Sequence, residues 1–232
     1  MASLEKTLQT KNSIDGWLTD KEATLLYDLA RKCPQDKAIV EIGSWKGRST
    51  VCLASGTSEG NKAPIYAIDP HTGSEEHQRK LGEVWTFDEF KENIKMAGLT
   101  EYVTPLVKTS EEASKTFDKE IGVLFIDGDH SFEAVKQDLE LWFPKVTDGG
   151  MIVFHDAVTT AWKGVASVVE EEVYRSKRFK RPKIASSIVY AQKVKENSSL
   201  DRLENRVRLV WKISLQQARY FAKKMIKRFT RV

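Results

Sequence analysis

Four carboxylates close short apolar runs in this sequence: Glu41 in AIVEIG, Asp69 in PIYAID, Asp127 in IGVLFID and Asp156 in MIVFHD. Acids so placed can bind hydroxyl or ammonium groups, ligate a hard cation or move a proton. Two histidines accompany them, His130 in DGDH and His155 directly before Asp156. Asp127, His155 and Asp156 would together offer oxygen ligands and one imidazole, a set suited to a divalent cation with positions left open for a substrate hydroxyl. His130 would stand beside them as a base. Taken singly, His130 reads as a helix cap and His155 as a satisfied strand-end residue; their joint placement favours chemistry.

A second group lies in EIGSWKGRST, residues 41–50, where Gly43 and Gly47 let the backbone approach a ligand closely. The helix that follows offers unsatisfied amide donors to a carboxylate or phosphate. The spacing is GxxxG, so the G-x-G-x-x-G dinucleotide fingerprint fails. Asp69, about 25 residues beyond the loop, can accept hydrogen bonds from both hydroxyls of a ribose. Loop and acid together indicate a nucleoside-type cofactor.

These groups need a scaffold that brings their strand ends together. Residues 18–31 place Leu18, Ala23, Leu25, Leu26 and Leu29 at helical spacing, with Thr19 or Asp20 as N-cap and Pro34 as the stop. Strands follow at 38–43, 64–69, 102–107, 121–127 and 151–156, the third carrying Pro105 at an end or edge. Helices are expected from about Ser49, over 87–97, over 132–143 and over 164–174. Residues 184–192 read as a strand, paired antiparallel with 179–183. Alternating strand and helix predict a doubly wound α/β sheet with right-handed crossovers, whose ligands bind beyond the carboxyl ends of the strands.

With 232 residues, the chain suits one globular α/β domain. Cys33 and Cys52 belong to no CxxC or Cys/His cluster, which excludes a disulfide framework or zinc module and points to the cytoplasm. No apolar run reaches a membrane span, and none near the start has signal-peptide form. The net charge of +4 conceals an asymmetry: residues 175–232 carry 18 Lys and Arg against 3 Asp and Glu, while the preceding body carries 19 against 30. Residues 1–193 are therefore expected to form the functional domain with an N-terminal helical cap, and 194–232 a basic extension.

The stretches VEIGSWKGRSTVCLA (40–54), IYAIDPHTG (65–73) and FIDGDHSFEAVKQDLELWFPKVTDGGMIVFHDA (125–157) resemble class I S-adenosylmethionine-dependent methyltransferases. Within them, the chain is similar to the bacterial small-molecule and sugar O-methyltransferase group that includes macrocin O-methyltransferase and cephalosporin-hydroxylase-like proteins. The resemblance covers about residues 15–193. It implies a Rossmann-like, mainly parallel seven-stranded sheet with a terminal antiparallel strand. It also implies that Glu41, Gly43, Ser44 and Ser49 hold the methionine end of S-adenosylmethionine and Asp69 the ribose, with Ser110 and Asp127 bordering adenine and sulfonium. Asp127, His155 and Asp156 occupy the group's metal positions and His130 its general-base position. The acceptor would be a hydroxyl on a sugar or small natural-product-like molecule. One departure stands out: His155 replaces a carboxylate of the metal-dependent relatives, leaving Mg2+, another ion or none open.

Residues 210–232 set Trp211, Leu215, Phe221, Met225, Ile226 and Phe229 against Arg219, Lys223, Lys224, Lys227 and Arg228, a basic amphipathic helix. Packing on the acidic body or on a second subunit is the favoured reading; peripheral contact with an anionic inner membrane surface is the other. Nucleic-acid binding through this tail is a rival function, weakened by the acidic catalytic edge and the lack of an NPPY-like motif. A dehydrogenase is disfavoured by GxxxG. Acceptor specificity is expected in 70–85 and 157–163, where His71, His77 and Trp162 have no assigned role.

Overall fold

Thr19 and Glu22 close a reciprocal capping box: the Thr19 hydroxyl accepts from the Glu22 amide, and the Glu22 carboxylate accepts from the Thr19 amide. This starts helix α2 (Asp20–Lys32), which buries Ala23, Leu26, Tyr27 and Ala30 along one face. In this computed structural model the described residues are 3–73 and 82–229, so His77 lies outside them. Helix α1 (Ser3–Asn12) precedes α2; its polar sequence, with a weak apolar stripe, gave no periodic signal.

Strand β1 (Ala38–Ile42) is buried at all five positions. It leads through α3 (Arg48–Glu59) to β2 (Ile65–Ile68), then through α4 (Phe87–Met96) to β3 (Val103–Leu106). The chain crosses back through α5 (Ser110–Thr116) to β4 (Ile121–Ile126), and through α6 (Phe132–Trp142) to β5 (Val146–Phe154). Helix α7 (Lys163–Val168) continues as a π-turn over Val169–Tyr174, and the hairpin β6 (Phe179–Ala185) and β7 (Ile188–Lys193) precedes α8 (Ser199–Phe229). The seven strands lie in the order β3-β2-β1-β4-β5-β7-β6, with β7 antiparallel to both neighbours and the rest parallel. Order reverses between β1 and β4, so a crevice opens there at the strands' carboxyl ends.

Register decides what meets in that crevice. Ile42 pairs with Ile68 on one side and Ile126 on the other, and Ile126 pairs with Phe154. Four strands thus end in line. The ladder runs one residue further, with amides of Gly43, Asp69, Asp127 and His155 donating to Ile68, Leu106, Ile42 and Ile126. One apolar layer packs beneath α5–α8 and another beneath α1–α4.

Several boundaries differ from the sequence reading; β5, expected over 151–156, starts earlier and runs Val146–Phe154, through the Gly149-Gly150 pair. The expected single strand over 184–192 is divided: Ile184 and Ala185 end β6, and a Ser186-Ser187 turn separates them from β7. The antiparallel pair is present as expected, but its turn is displaced: Ser186 takes the left-handed conformation (φ 56°), a role usually signalled by Gly or Asn, which hid the turn's position. The helix expected over 164–174 is an α-turn followed by a π-turn. Helix α5, at seven residues, is too short for periodicity to reveal, although Thr109 and Glu112 cap it.

Helix α8 begins eleven residues before the predicted amphipathic stretch and orients differently. Leu209 and Lys212 are buried, and Lys212 pairs with Glu170 at 2.8 Å. Trp211 and Phe221 stay exposed together with Leu203, Val207 and Val210, while Arg219 turns back to the Ser186 carbonyl. The side chains at 223 and 225–229, which include the expected Lys223, Met225, Ile226, Lys227, Arg228 and Phe229, lie outside the described set. Among the described residues, no helix is long and apolar enough to cross a membrane.

Asn205, fully buried, ties α8 to the sheet where β6 shifts register: it donates to the Phe179 carbonyl (2.9 Å) and accepts from the Arg181 amide (3.2 Å). Asn205→Ala orphans the Arg181 amide, while the Phe179 carbonyl keeps its bond from Asn197 (2.6 Å), and is expected to lower the unfolding free energy by about 1–3 kcal/mol, whereas Val210→Ala on the exposed face should change it by less than about 0.5 kcal/mol. Urea titration of both variants checks the contrast.

Candidate active site

The crevice is a cavity of about 990 Å³. Gly43, Ser44, Ser49, Asp69, Ser110, Asp127, His130, His155 and Asp156 all line it. Glu41 does not. It points with Ile39 into the α2–α3 layer, fully buried, and accepts from the Thr50 hydroxyl at 2.5 Å. The alternation of side chains along β1 explains this: the strand-end acid faces a helix while the loop beyond it faces the cavity. Glu41 is thus a support behind the wall. Burial raises its pKa to about 8, against the opposing effect of Ser49 and Thr50 hydroxyls, and Asp127 and Asp69 push the same way as burial.

Gly43 lets the β1 and β4 loops touch. A Cβ there would stand 2.2 Å from the Asp127 carbonyl oxygen, and its φ of 85° favours glycine independently. Asp69 is fixed by two backbone donors, the Trp45 amide on Oδ2 and the His71 amide on Oδ1, each at 2.7 Å. Its carboxylate keeps further lone pairs for a ligand. Trp45 (φ 48°), His71 (φ 60°) and Asp156 (φ 54°) all hold left-handed backbone at these strand-end loops, strain of a kind that collects at functional sites and costs about 1–3 kcal/mol per residue.

The other end of the cavity is a histidine–carboxylate cluster. His155 Nδ1 lies 2.9 Å from Asp127 Oδ1 and 3.7 Å from Asp156 Oδ2. His130 Nε2 lies 3.8 Å from Asp127 Oδ1 and 3.7 Å from Asp156 Oδ2. Burial would lower the His155 pKa, but Asp127, Glu22 and Asp156 overcome it and raise it well above the ordinary value. Burial likewise opposes Asp127 ionisation, and the two imidazoles hold its pKa below normal. Asp127, His130 and His155 each place a donor atom within 4.8 Å of the others. This mixed set fits a divalent ion, with Asp156 beside it.

His130 is positioned by packing. Its ring stacks on Trp162, centroids 4.5 Å apart and planes 18° from parallel. Gly164 permits this, because a Cβ there would meet the His130 carbonyl at 2.4 Å. Ser44 Oγ, Glu41 Oε1 and His130 Nε2 are buried atoms without a hydrogen-bond partner; two belong to the cavity wall, as expected where a polar ligand supplies the missing bonds.

Sequence reasoning missed several wall residues. Gly16, Trp17 and Leu18 reach the cavity because Arg48 holds their segment through the Ile14 and Leu18 carbonyls. Asp138 lines the cavity beside Ser110, its pKa raised to about 6 by burial against the Ser110 hydrogen bond, with Asp129 adding to the rise. Glu22 reaches His155 from α2. For Asp138 and Glu22 the helical periodicity was a signal, because each interrupts an apolar face with a charge. His71 packs its buried ring against Phe87 and Phe90, with Nδ1 on the Thr86 hydroxyl.

Fold and site together define a Rossmann-like methyltransferase architecture. Residues 40–157, about half the chain, match the family described as Methyltransferase domain, and the chain belongs to that family. The protein y4gI of Sinorhizobium fredii (strain NBRC 101917 / NGR234) is 33% identical over 125 residues, 52% of this chain; the chain spans only 13% of that relative's length. The O-methyltransferase NovP superposes with a TM-score of 0.61 at 21% identity, covering 76% of this chain and 81% of NovP. TomG of Streptomyces achromogenes, an O-methyltransferase of tomaymycin synthesis solved in complex with SAM, gives 0.59 at 16% identity, covering 82% and 89%. These likenesses show the fold.

Because the folded Glu41 pKa lies above its unfolded value of 4.5, its contribution to stability is fully present below pH 4.5 and is lost as pH rises through about 8. The stability difference between wild type and Glu41→Gln should therefore shift across that window by up to roughly 5 kcal/mol. Chemical denaturation at pH 4.5, 6 and 8 measures it; a difference independent of pH would contradict the burial argument.

Proposed function

We propose that this protein is an S-adenosylmethionine-dependent O-methyltransferase whose acceptor is a hydroxyl on a sugar or small natural-product-like molecule. One observation carries the reading: a cavity at the sheet's switch point whose wall joins the polar loops carrying Gly43, Ser44 and Asp69 to the histidine–carboxylate cluster. Membership of the methyltransferase family agrees with it, as do the O-methyltransferases among its structural neighbours.

In this reading Asp69 accepts from the ribose hydroxyls, its carboxylate already oriented by the Trp45 and His71 amides. Gly43, Ser44 and Ser49 hold the methionine end by backbone and hydroxyl groups, with Glu41 supporting Ser49 from behind. Ser110 and Asp138 face the adenine, and Asp127 borders the sulfonium. The methyl donor contributes an electrophilic methyl group and a neutral thioether leaving group.

His130 would take the acceptor's proton on Nε2 while the hydroxyl oxygen displaces sulfur from the methyl carbon in line. A neutral imidazole, with an ordinary pKa of about 6.5, is a weak base for an alcohol. A divalent cation held by Asp127, His155 and Asp156 would lower the hydroxyl pKa. Stacking on Trp162 keeps His130 from rotating away, and the strained Asp156 backbone aims its carboxylate at the same point.

Purified variants assayed with radiolabelled donor and a panel of sugars and phenols test these roles. His130→Ala should lower kcat by about 10²- to 10⁴-fold with donor affinity unchanged by calorimetry. Asp69→Ala should weaken donor binding by at least about tenfold. Wild-type turnover in His130→Ala, or a wild-type protein that does not bind the donor, overturns the reading.

A further inference from the structure

The face of His155 turned away from the cavity meets a second carboxylate. Glu22 Oε2 lies 3.7 Å from His155 Nε2, and both side chains are almost completely buried. Glu22 cannot swing away, because Ser187 donates to its Oε1 from both amide (2.8 Å) and hydroxyl (2.7 Å), while the Thr19 amide donates to Oε2 (2.8 Å). A helix cap and the β6–β7 turn, 165 residues apart in sequence, thus converge on one carboxylate.

This arrangement presents Nδ1 to the cavity and Nε2 to Glu22. Without an ion, Asp127 Oδ1 lies 2.9 Å from Nδ1, within reach of a proton on that nitrogen; an ion bound beside Asp127 would take that proton's place, while the Glu22 carboxylate favours one on Nε2. A carboxylate behind the outer nitrogen, here an ion-pair contact at 3.7 Å, with the inner nitrogen turned to a carboxylate pair, resembles the arrangement by which proteins orient a metal-ligating histidine. The 2.9 Å between Nδ1 and Asp127 Oδ1 also suits two adjacent ligands of a six-coordinate ion, which stand roughly 3 Å apart when each bond is about 2.1 Å. His130 Nε2, buried and without a partner, borders the same point.

We propose that Asp127, His155 and Asp156, with Glu22 as the outer carboxylate behind His155, form a site for a divalent transition ion of the Mn2+ to Zn2+ class in preference to Mg2+. The proposal deepens the O-methyltransferase reading and rests on its placement of a cation at this end of the cavity. Mg2+ takes oxygen ligands and sheds water reluctantly, whereas imidazole suits the later, softer ions. An aspartate at position 155 would restore an all-oxygen set. His155 is thus the residue that sets ion choice, and Glu22 positions it.

The test is direct binding of metal chlorides to full-length, chelator-treated protein, read by calorimetry and by the visible absorption of Co2+. Co2+ is expected to bind at least about 100-fold more tightly than Mg2+, and this ratio should fall at least tenfold in His155→Asp, with the Co2+ bands changing as nitrogen leaves the ligand set. Glu22→Gln keeps a residue able to close the cap and should weaken Co2+ about 10- to 100-fold, with a cooperative thermal melt showing it folded. Equal or tighter Mg2+ binding, no ion binding, a ratio unchanged in His155→Asp, or unaltered Co2+ affinity in folded Glu22→Gln each overturns the proposal. Binding of the methyl donor to the metal-free protein, measured separately, shows whether such a failure is confined to the ion site or extends to the methyltransferase reading.

Discussion

The site depends on backbone hydrogen bonding between strands. The amides of Gly43, Asp69, Asp127 and His155 extend the parallel ladder one residue past the last apolar pair of each strand. That extension fixes the first residue of four loops in a row across the sheet. Parallel pairing needs continuous apolar runs buried on both faces, and β1 and β4, buried at every position, supply the two on either side of the crevice. A slip of one residue would turn each following side chain to the opposite face.

So many acids at one rim create an electrostatic cost that local structure offsets. Each carboxylate is met by a different kind of donor: hydroxyls for Glu41, backbone amides for Asp69, imidazoles for Asp127. The consequences follow the donor. Burial raises the Glu41 pKa against its hydroxyl donors, whereas burial of Asp127 is outweighed by two imidazoles, which lower it. A charge-assisted bond in a low-dielectric interior is worth more than a neutral one, and an unpaired buried charge costs more still. Burial therefore favours the neutral form of Glu41 behind the wall, and the imidazoles favour the ionised form of Asp127 at the histidine cluster.

Elements outside the parallel sheet complete the wall. Arg48 draws the segment between α1 and α2 over the cavity by two carbonyls. Trp162 leaves the β5–α7 connection to stack on His130, an approach that only a glycine at position 164 permits. Helix α8 anchors β6 through Asn205, turns Lys212 to Glu170 and Arg219 to the Ser186 carbonyl, and leaves Leu203, Val207, Val210 and Trp211 outward. A helix that looks basic and amphipathic in sequence can thus turn some of its cations inward and apolar side chains outward.

The alternation of apolar runs and helical periodicities determined the doubly wound parallel sheet, and acids at strand ends marked the rim, because burial and local periodicity are properties of neighbouring residues in the chain. Nine of the ten site residues named from sequence line the cavity. The tenth, Glu41, has the right position and the wrong side, since which face of a central strand meets a helix and which a ligand depends on layers packed from both directions. Glu22 shows the same limit: its capping role is written in the four residues from Thr19 to Glu22, but its meeting with Ser187 and His155 is not. Local chemistry sets each residue's capacity to bond; only the packing of distant elements decides which partner comes within reach, because that proximity is a property of the whole folded chain.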